Sequence, residues 1–117
     1  MNYNPQIPEW GEKYLENNEE NLIKYHEWLS TTGVKTGLIS PKKDQYIWDE
    51  FIVHSLYFYK LIEDLNLENK DLFDIGTGGG IPGVPISIVN KAKVTLIDNK
   101  TTRIYELQRL IKILRLK

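Results

Sequence analysis

The pattern of apolar and polar residues between 71 and 98 organises this chain. A short apolar run over 72–75 has the length of a buried strand, and a glycine-rich turn follows it. Pro82 suits a first helical turn, and the apolar run over 84–89 continues with helical spacing. Residues 93–98 predict a second strand that ends in Asp98. The segment therefore predicts two parallel strands joined by a helix, and we expect both strands to be buried on both faces.

Apolar residues upstream of the strands recur at helical spacing. A helix is expected from Asn18, and a connecting loop is expected over 31–38. Ser40 and Pro41 have the residue types of an N-cap and a first helical position. The apolar positions over 47–65 then predict one long helix, or two helices joined near residue 54, and their aromatic side chains are interpreted as core.

The chain ends in a predicted amphipathic helix that carries an excess of positive charge. Asn99, Thr101 or Thr102 could cap it, and the apolar positions over 104–114 form one face. Residues 99–117 contain 6 basic and 1 acidic side chains, whereas residues 1–98 contain 9 and 15. A contact with nucleic-acid phosphate is one interpretation. The simpler interpretation, which we favour, is a solvated helix face formed by Arg103, Arg109, Lys112 and Arg115.

Composition limits the classes of protein to which the chain can belong. Its 117 residues and 41% hydrophobic content are those of one small globular domain. Cysteine is absent and the two histidines are far apart, so a metal site is not expected. We find no signal-peptide pattern at the N-terminus and no apolar run near 18 residues. The sequence therefore predicts a cytoplasmic protein without a membrane segment.

Acidic residues stand at the carboxyl ends of both predicted strands. In doubly wound α/β domains ligands bind beyond these ends, and a carboxylate at the position of Asp98 can accept the two hydroxyl groups of a ribose. Glycines at 76, 78 and 80 leave the main chain bare for a ligand. Asp74 could hold the polar end of that ligand, or it could fix the glycine turn through backbone N–H groups.

Two cofactors fit the glycine turn to different degrees. The spacing Gly78-x-Gly80-x-x-Gly83 matches the loose pattern of dinucleotide enzymes, but it places Pro82 inside the phosphate turn. The frame Asp74-x-Gly76-x-Gly78-x-Gly80 resembles the pattern of S-adenosylmethionine-dependent methyltransferases more closely. A Walker A loop is excluded, because no Gly-Lys-Ser/Thr follows.

The wider motif resembles one particular family. Residues 73–89, then 94–98, and then Arg103 at the start of a helix are similar to RsmG, also called GidB, the 16S rRNA 7-methylguanosine methyltransferases. The Gly-x-Pro-Gly-x-Pro-Ile sequence over 80–86 is distinctive. Where the family has Arg-His before Asp-Ser, this chain has Glu-Phe at 50–51 and His-Ser at 54–55. The resemblance implies S-adenosylmethionine as cofactor, with Gly76 and Ile81 lining its site and Asp98 meeting the adenosine.

The resemblance also implies a fold and a substrate. We expect an α/β fold: an incomplete Rossmann-like parallel sheet of the class I S-adenosylmethionine-dependent methyltransferases, preceded by N-terminal helices. Residues 1–66 would form the helical segment, and residues 67–117 the first β-α-β-α part of the methyltransferase domain. The substrate would be guanine N7 in 16S rRNA, within the small ribosomal subunit. Guanine N7 already presents a lone pair, so we assign no catalytic acid or base.

Two strands alone make a marginal sheet with both outer edges unpaired. We therefore expect a truncated product, a fragment or a chain that needs a partner, and we expect the 117 residues to be inactive or impaired. Self-association through the open sheet edges is a further expectation. Two alternatives stay open: a non-catalytic remnant that binds rRNA or protein, and a fragment of a dinucleotide-binding oxidoreductase.

Overall fold

A computed structural model describes residues 2–90 and 93–116. Its α-helices are α1 (Glu12–Leu15), α2 (Glu19–Trp28), α3 (Asp44–Tyr46), α4 (His54–Asp64), α5 (Gly83–Val89) and α6 (Thr101–Ile113). A 3₁₀ turn at Glu9–Gly11 and π-helical segments at Leu29–Gly33 and Ile47–Val53 adjoin them. The two strands are β1 (Leu72–Ile75) and β2 (Val94–Ile97). The predicted order of helices followed by β-α-β-α is confirmed.

The sheet consists of β1 and β2 in parallel among the described residues, as expected. Leu72 pairs with Val94, and Ile75 pairs with Ile97. The helix α5 covers one face closely, because Gly83 at its start contacts the side chain of Leu96 on β2.

The opposite face of the sheet is bare among the described residues. Phe73 is 62% exposed, Ile75 is 79% exposed and Ile97 is 41% exposed. The expectation that both faces are buried is therefore wrong for this part of the chain. The physical reason is that α5 and the helices packed on it lie on the other side, so alternate side chains of β1 point into solvent.

The hydrophobic core lies between the N-terminal helices and α5 and α6. Tyr25 and Leu29 pack with Trp48, and all three are fully buried. On α6, Leu107 and Leu110 belong to the same cluster. Side chains from both predicted segments thus share one core, and the boundary at residue 66 stays a prediction.

Two predicted helix starts are wrong. Residues 40–43 are not helical, and α3 begins at Asp44 with extended Lys43 before it. At α6 the N-cap is Lys100, and its side chain makes no capping hydrogen bond. The carboxylate of Asp98 instead accepts a hydrogen bond from the Lys100 N–H at 3.0 Å, so it satisfies a donor beside the helix start.

The helical pattern over 47–65 is one continuous helical stretch from Asp44 to Asp64, with a π-helical segment that gives way to α4 at His54. The first crossover helix ends at Val89 with Asn90 at its C-cap, and residues 91 and 92 lie outside the described ranges. Within those ranges we find no helix with the length and apolarity needed to cross a bilayer. No group of three metal-binding side chains comes together there either.

Candidate functional site

Asp74 fixes the glycine turn from beneath. Its Oδ2 accepts hydrogen bonds from the Thr77 hydroxyl at 2.7 Å and from the Gly83 N–H at 2.9 Å. The Thr77 side chain belongs to a residue that is only 2% exposed, so this contact lies inside the protein. Asp74 therefore links the end of β1, the turn and the first residue of α5, which corresponds to the second of its two expected roles.

Asp98 lies across the same turn at the end of β2. Its Oδ2 accepts a hydrogen bond from the Gly78 N–H at 2.9 Å. The Arg103 Nη1 lies 3.4 Å from each of its two carboxylate oxygens. The Asp98 side chain is 2% exposed, and the Gly78 and Lys100 N–H groups and then Arg103 lower the pKa of this carboxyl below its ordinary value.

The glycine turn has an open part and a packed part. Gly76 and Gly78 have φ angles of 75° and 58°, and a methyl group added at either would meet no atom within 4 Å. Gly80 has a φ angle of 91°, but a methyl group there would lie 2.6 Å from Val84 Cγ2 and 3.2 Å from Leu107 Cδ2. The turn therefore offers bare main chain at its first two glycines and rests on the core at Gly80.

A buried tyrosine supports the packed part of the turn. The Tyr25 hydroxyl donates a hydrogen bond to the Gly79 carbonyl oxygen at 2.7 Å. Burial raises the pKa of Tyr25 well above its ordinary value, so the hydroxyl stays protonated and can donate. Methyl groups of Leu29 and Ile39 lie under Gly79. The N-terminal helices thus hold the turn that follows β1.

Ile81 and Pro82 border a surface cavity of about 220 Å³. The remaining lining residues are Glu50, His54, Ser55 and Phe58. Ile81 is half-buried, so part of its side chain is available on the cavity side of the turn. The lining of this cavity does not include Gly76, Gly78 or Asp98.

Only some of the predicted site residues lie at the surface of the glycine turn. Gly76 and Gly78 lie at an open surface, and the Asp98 carboxylate, whose side chain is only 2% exposed, contacts the Gly78 N–H there. Asp74 and Gly80 lie below this surface. Sequence reasoning missed Thr77, Tyr25 and Arg103 as parts of this arrangement. The hydroxyl three residues after Asp74 could have indicated the first contact. The sequence holds no local pattern that ties Tyr25 to Gly79, because 54 positions separate them.

Arg103 corrects the interpretation of the basic helix. We expected Arg103 to share a solvated face with Arg109, Lys112 and Arg115, but it is half-buried against Asp98. The other three are exposed. Of these four basic residues, the solvated ones are therefore Arg109, Lys112 and Arg115.

The lowered pKa of Asp98 predicts how Asp98→Asn changes stability with pH. A carboxylate whose pKa is depressed by folding stabilises the fold above its unfolded pKa, and this contribution is lost as the pH falls through the folded value. We expect Asp98→Asn to lower the free energy of unfolding at neutral pH, and we expect the deficit to shrink below about pH 4. Urea denaturation from pH 7 to pH 3 measures this. Asp71→Asn, at an exposed position, should show no such trend. A deficit that is constant with pH would contradict the assignment.

Comparisons with known proteins identify the family of this chain. Residues 18–117 match the family model GidB, rRNA small subunit methyltransferase G. Proteins named ribosomal RNA small subunit methyltransferase G are similar to the chain: 38% identity over 76 residues in Mycobacterium sp. (strain JLS), 30% over 89 in Mycobacterium marinum, and 26% over 111 in Streptomyces coelicolor.

These alignments cover 64%, 75% and 94% of this chain, but 32%, 37% and 45% of the relatives. The chain thus spans about a third to a half of the length of the curated relatives it matches. The family model, by contrast, covers most of the chain, including the glycine turn, both strands and α6. The chain belongs to the family of rRNA small subunit methyltransferase G, or GidB.

Proposed function

We propose that the glycine turn and Asp98 form the part of an S-adenosylmethionine site that this chain supplies, for methylation of guanine N7 in 16S rRNA. The observation that supports this most strongly is the contact between Asp98 Oδ2 and the Gly78 N–H at 2.9 Å. Through this contact Asp98 lies beside bare main chain at the carboxyl ends of two neighbouring parallel strands, and a carboxylate in this position can accept ribose hydroxyl groups.

Each predicted site residue has a distinct part in this proposal. Gly76 and Gly78 leave room for the cofactor to lie on the main chain, because no atom would obstruct even an added methyl group there. Ile81 contributes apolar surface at the cavity. Asp98 accepts the ribose hydroxyls. Gly80 and Asp74 maintain the shape of the turn. Gly80 packs against the core, and Asp74 accepts a hydrogen bond from the Gly83 N–H.

The bound cofactor would supply an electrophilic methyl group on a positively charged sulfur. Guanine N7 needs no proton removed before it accepts a methyl group, so the protein's task is to align the two reactants and keep water out. This is consistent with a site built from main chain, one apolar side chain and one carboxylate. The rRNA substrate also implies a cytoplasmic location.

In this proposal, the exposed basic side chains on α6 contact RNA phosphate groups. Arg109 and Lys112 lie on the exposed face of that helix. Phosphate contacts of this kind release counterions, so RNA binding would weaken as salt is raised. We propose that the methyltransferase activity of this chain on a small ribosomal subunit is low, since the chain covers 45% or less of each of these three relatives.

Two measurements test the function. Calorimetry of the purified chain with S-adenosylhomocysteine should give weak binding, and NAD should bind more weakly still. Transfer of labelled methyl groups to small ribosomal subunits that lack the modification should be absent or far below that of a full-length relative. Tighter binding of NAD would instead support the dinucleotide-binding oxidoreductase fragment.

The bare sheet face favours a second candidate function. Phe73, Ile75 and Ile97 form an exposed apolar strip next to an unpaired strand edge, within the part of the chain that the structure describes. Surfaces of this kind pair with other chains. An interaction module that associates with itself or with another protein, without catalysis, is therefore the alternative.

Ile75→Lys tests this alternative. Ile75 is 79% exposed, so the substitution should change the free energy of unfolding by less than about 0.5 kcal/mol. It should lower the mass measured by light scattering if the wild type self-associates through this face. Tyr105→Lys, at a position 60% exposed on α6, is the matched control and should leave the mass unchanged. A wild-type monomer at all concentrations would contradict self-association.

A further inference from the structure

The side chain of Arg103 contacts Asp98, although its spacing along α6 also suits a solvated face. Its Nη1 lies 3.4 Å from both carboxylate oxygens, and its side chain is 30% exposed, whereas Arg109 on the next turns is 65% exposed. The long distances indicate an electrostatic contact more than two strong hydrogen bonds. A cation centred on both oxygens opposes the cost of burying that carboxylate.

Three donors contact the Asp98 carboxylate. The Gly78 N–H bonds to Oδ2, the Lys100 N–H bonds to Oδ1, and Arg103 lies between the two oxygens. A carboxylate has about four acceptor positions, so capacity is left for hydroxyl donors. The Gly78 and Lys100 N–H groups are the main causes of the lowered pKa of Asp98, and Arg103 adds a positive charge that lies within 3.4 Å of the carboxylate.

We propose that Arg103 is a positioning residue for the cofactor site: it holds the Asp98 carboxylate, ionised and directed at the glycine turn, so that it can accept ribose hydroxyl groups. This inference rests on the proposed function for the ribose, but the placement of Asp98 by Arg103 can be measured without any ligand. It also separates Arg103 from the exposed cations of α6, which we assign to phosphate contacts.

The test compares Arg103→Gln with Arg109→Gln. Both variants remove one positive charge from the same helix, but Arg109 contacts Glu106 rather than Asp98. In the free protein, carbon-detected NMR titration of the Asp98 carboxyl and the Gly78 amide shift report the arrangement directly. We expect Arg103→Gln to raise the pKa of Asp98 and to move the Gly78 amide resonance. Arg109→Gln should do neither, and Arg103→Lys should restore most of the wild-type pKa.

Binding of S-adenosylhomocysteine gives the second readout. We expect Arg103→Gln to weaken binding about threefold to tenfold and to shift the loss of binding at acid pH to higher pH. If Arg103→Gln leaves both the Asp98 titration and the Gly78 amide unchanged, the inference is wrong. If both change but wild-type protein binds no S-adenosylhomocysteine, the positioning stands and the proposed function fails.

Discussion

Gly80→Ala should destabilise the fold more than Gly76→Ala or Gly78→Ala. The new Cβ would lie 2.6 Å from Val84 Cγ2 and 3.2 Å from Leu107 Cδ2, and the φ angle of 91° disfavours any side chain. Overpacking of a core costs about 1 to 3 kcal/mol, and a left-handed backbone adds about 1 to 2 kcal/mol. We expect a total loss of about 2 to 5 kcal/mol in urea denaturation.

Gly76→Ala is the matched control for this prediction. Its φ angle of 75° imposes a similar backbone penalty, but no atom lies within 4 Å of the new methyl group. We expect a loss of about 1 to 2 kcal/mol and a folded protein. The difference between the variants measures how tightly the turn rests on α5 and α6. Equal losses would mean that Gly80 is not packed against Val84 and Leu107.

Asp98→Ala should abolish detectable binding of S-adenosylhomocysteine. The substitution removes the acceptor proposed for the ribose and the contact that joins β2 to Gly78. Loss of a charged hydrogen-bonding partner of this kind corresponds to about a tenfold or larger loss of affinity. Amide shift mapping at millimolar ligand measures it, because that method detects weak binding.

Two controls make the Asp98→Ala result interpretable. Asp71→Ala removes an exposed carboxylate just before β1 and should leave ligand binding unchanged. The amide spectrum of free Asp98→Ala should retain the dispersion of a folded chain, which distinguishes a lost contact from unfolding. Binding that survives in folded Asp98→Ala would remove this residue from the site.

The order of elements in the second half of the fold could be predicted from local patterns. The apolar run at 72–75, the glycines after it and the acid at 98 are each typical of one structure, and they lie where that pattern predicts. Contacts that join distant segments could not be predicted. Tyr25 reaches Gly79 from another helix, and Arg103 turns towards Asp98 although its spacing also suits a solvated face.

Burial of the sheet was the main failure of sequence reasoning. An apolar run indicates that a strand can be buried on both faces. It does not indicate that this chain contains the helices that would pack on both faces. Leu72 and Asp74 face α5, whereas Phe73 and Ile75 face solvent. At α6, Lys100 rather than a predicted capping residue stands at the N-cap, and Asp98, outside the helix, accepts the hydrogen bond of its N–H.

The central claim is that the open part of the glycine turn and Asp98 bind the nucleoside of S-adenosylmethionine. Titrating the isotope-labelled chain with S-adenosylhomocysteine, and separately with NAD, tests it most directly. The account predicts that S-adenosylhomocysteine shifts the amide resonances of Gly76, Gly78, Ile81 and Asp98, and that NAD at equal concentration shifts them less. Unchanged resonances at all four residues at millimolar S-adenosylhomocysteine, or larger shifts with NAD, would contradict it.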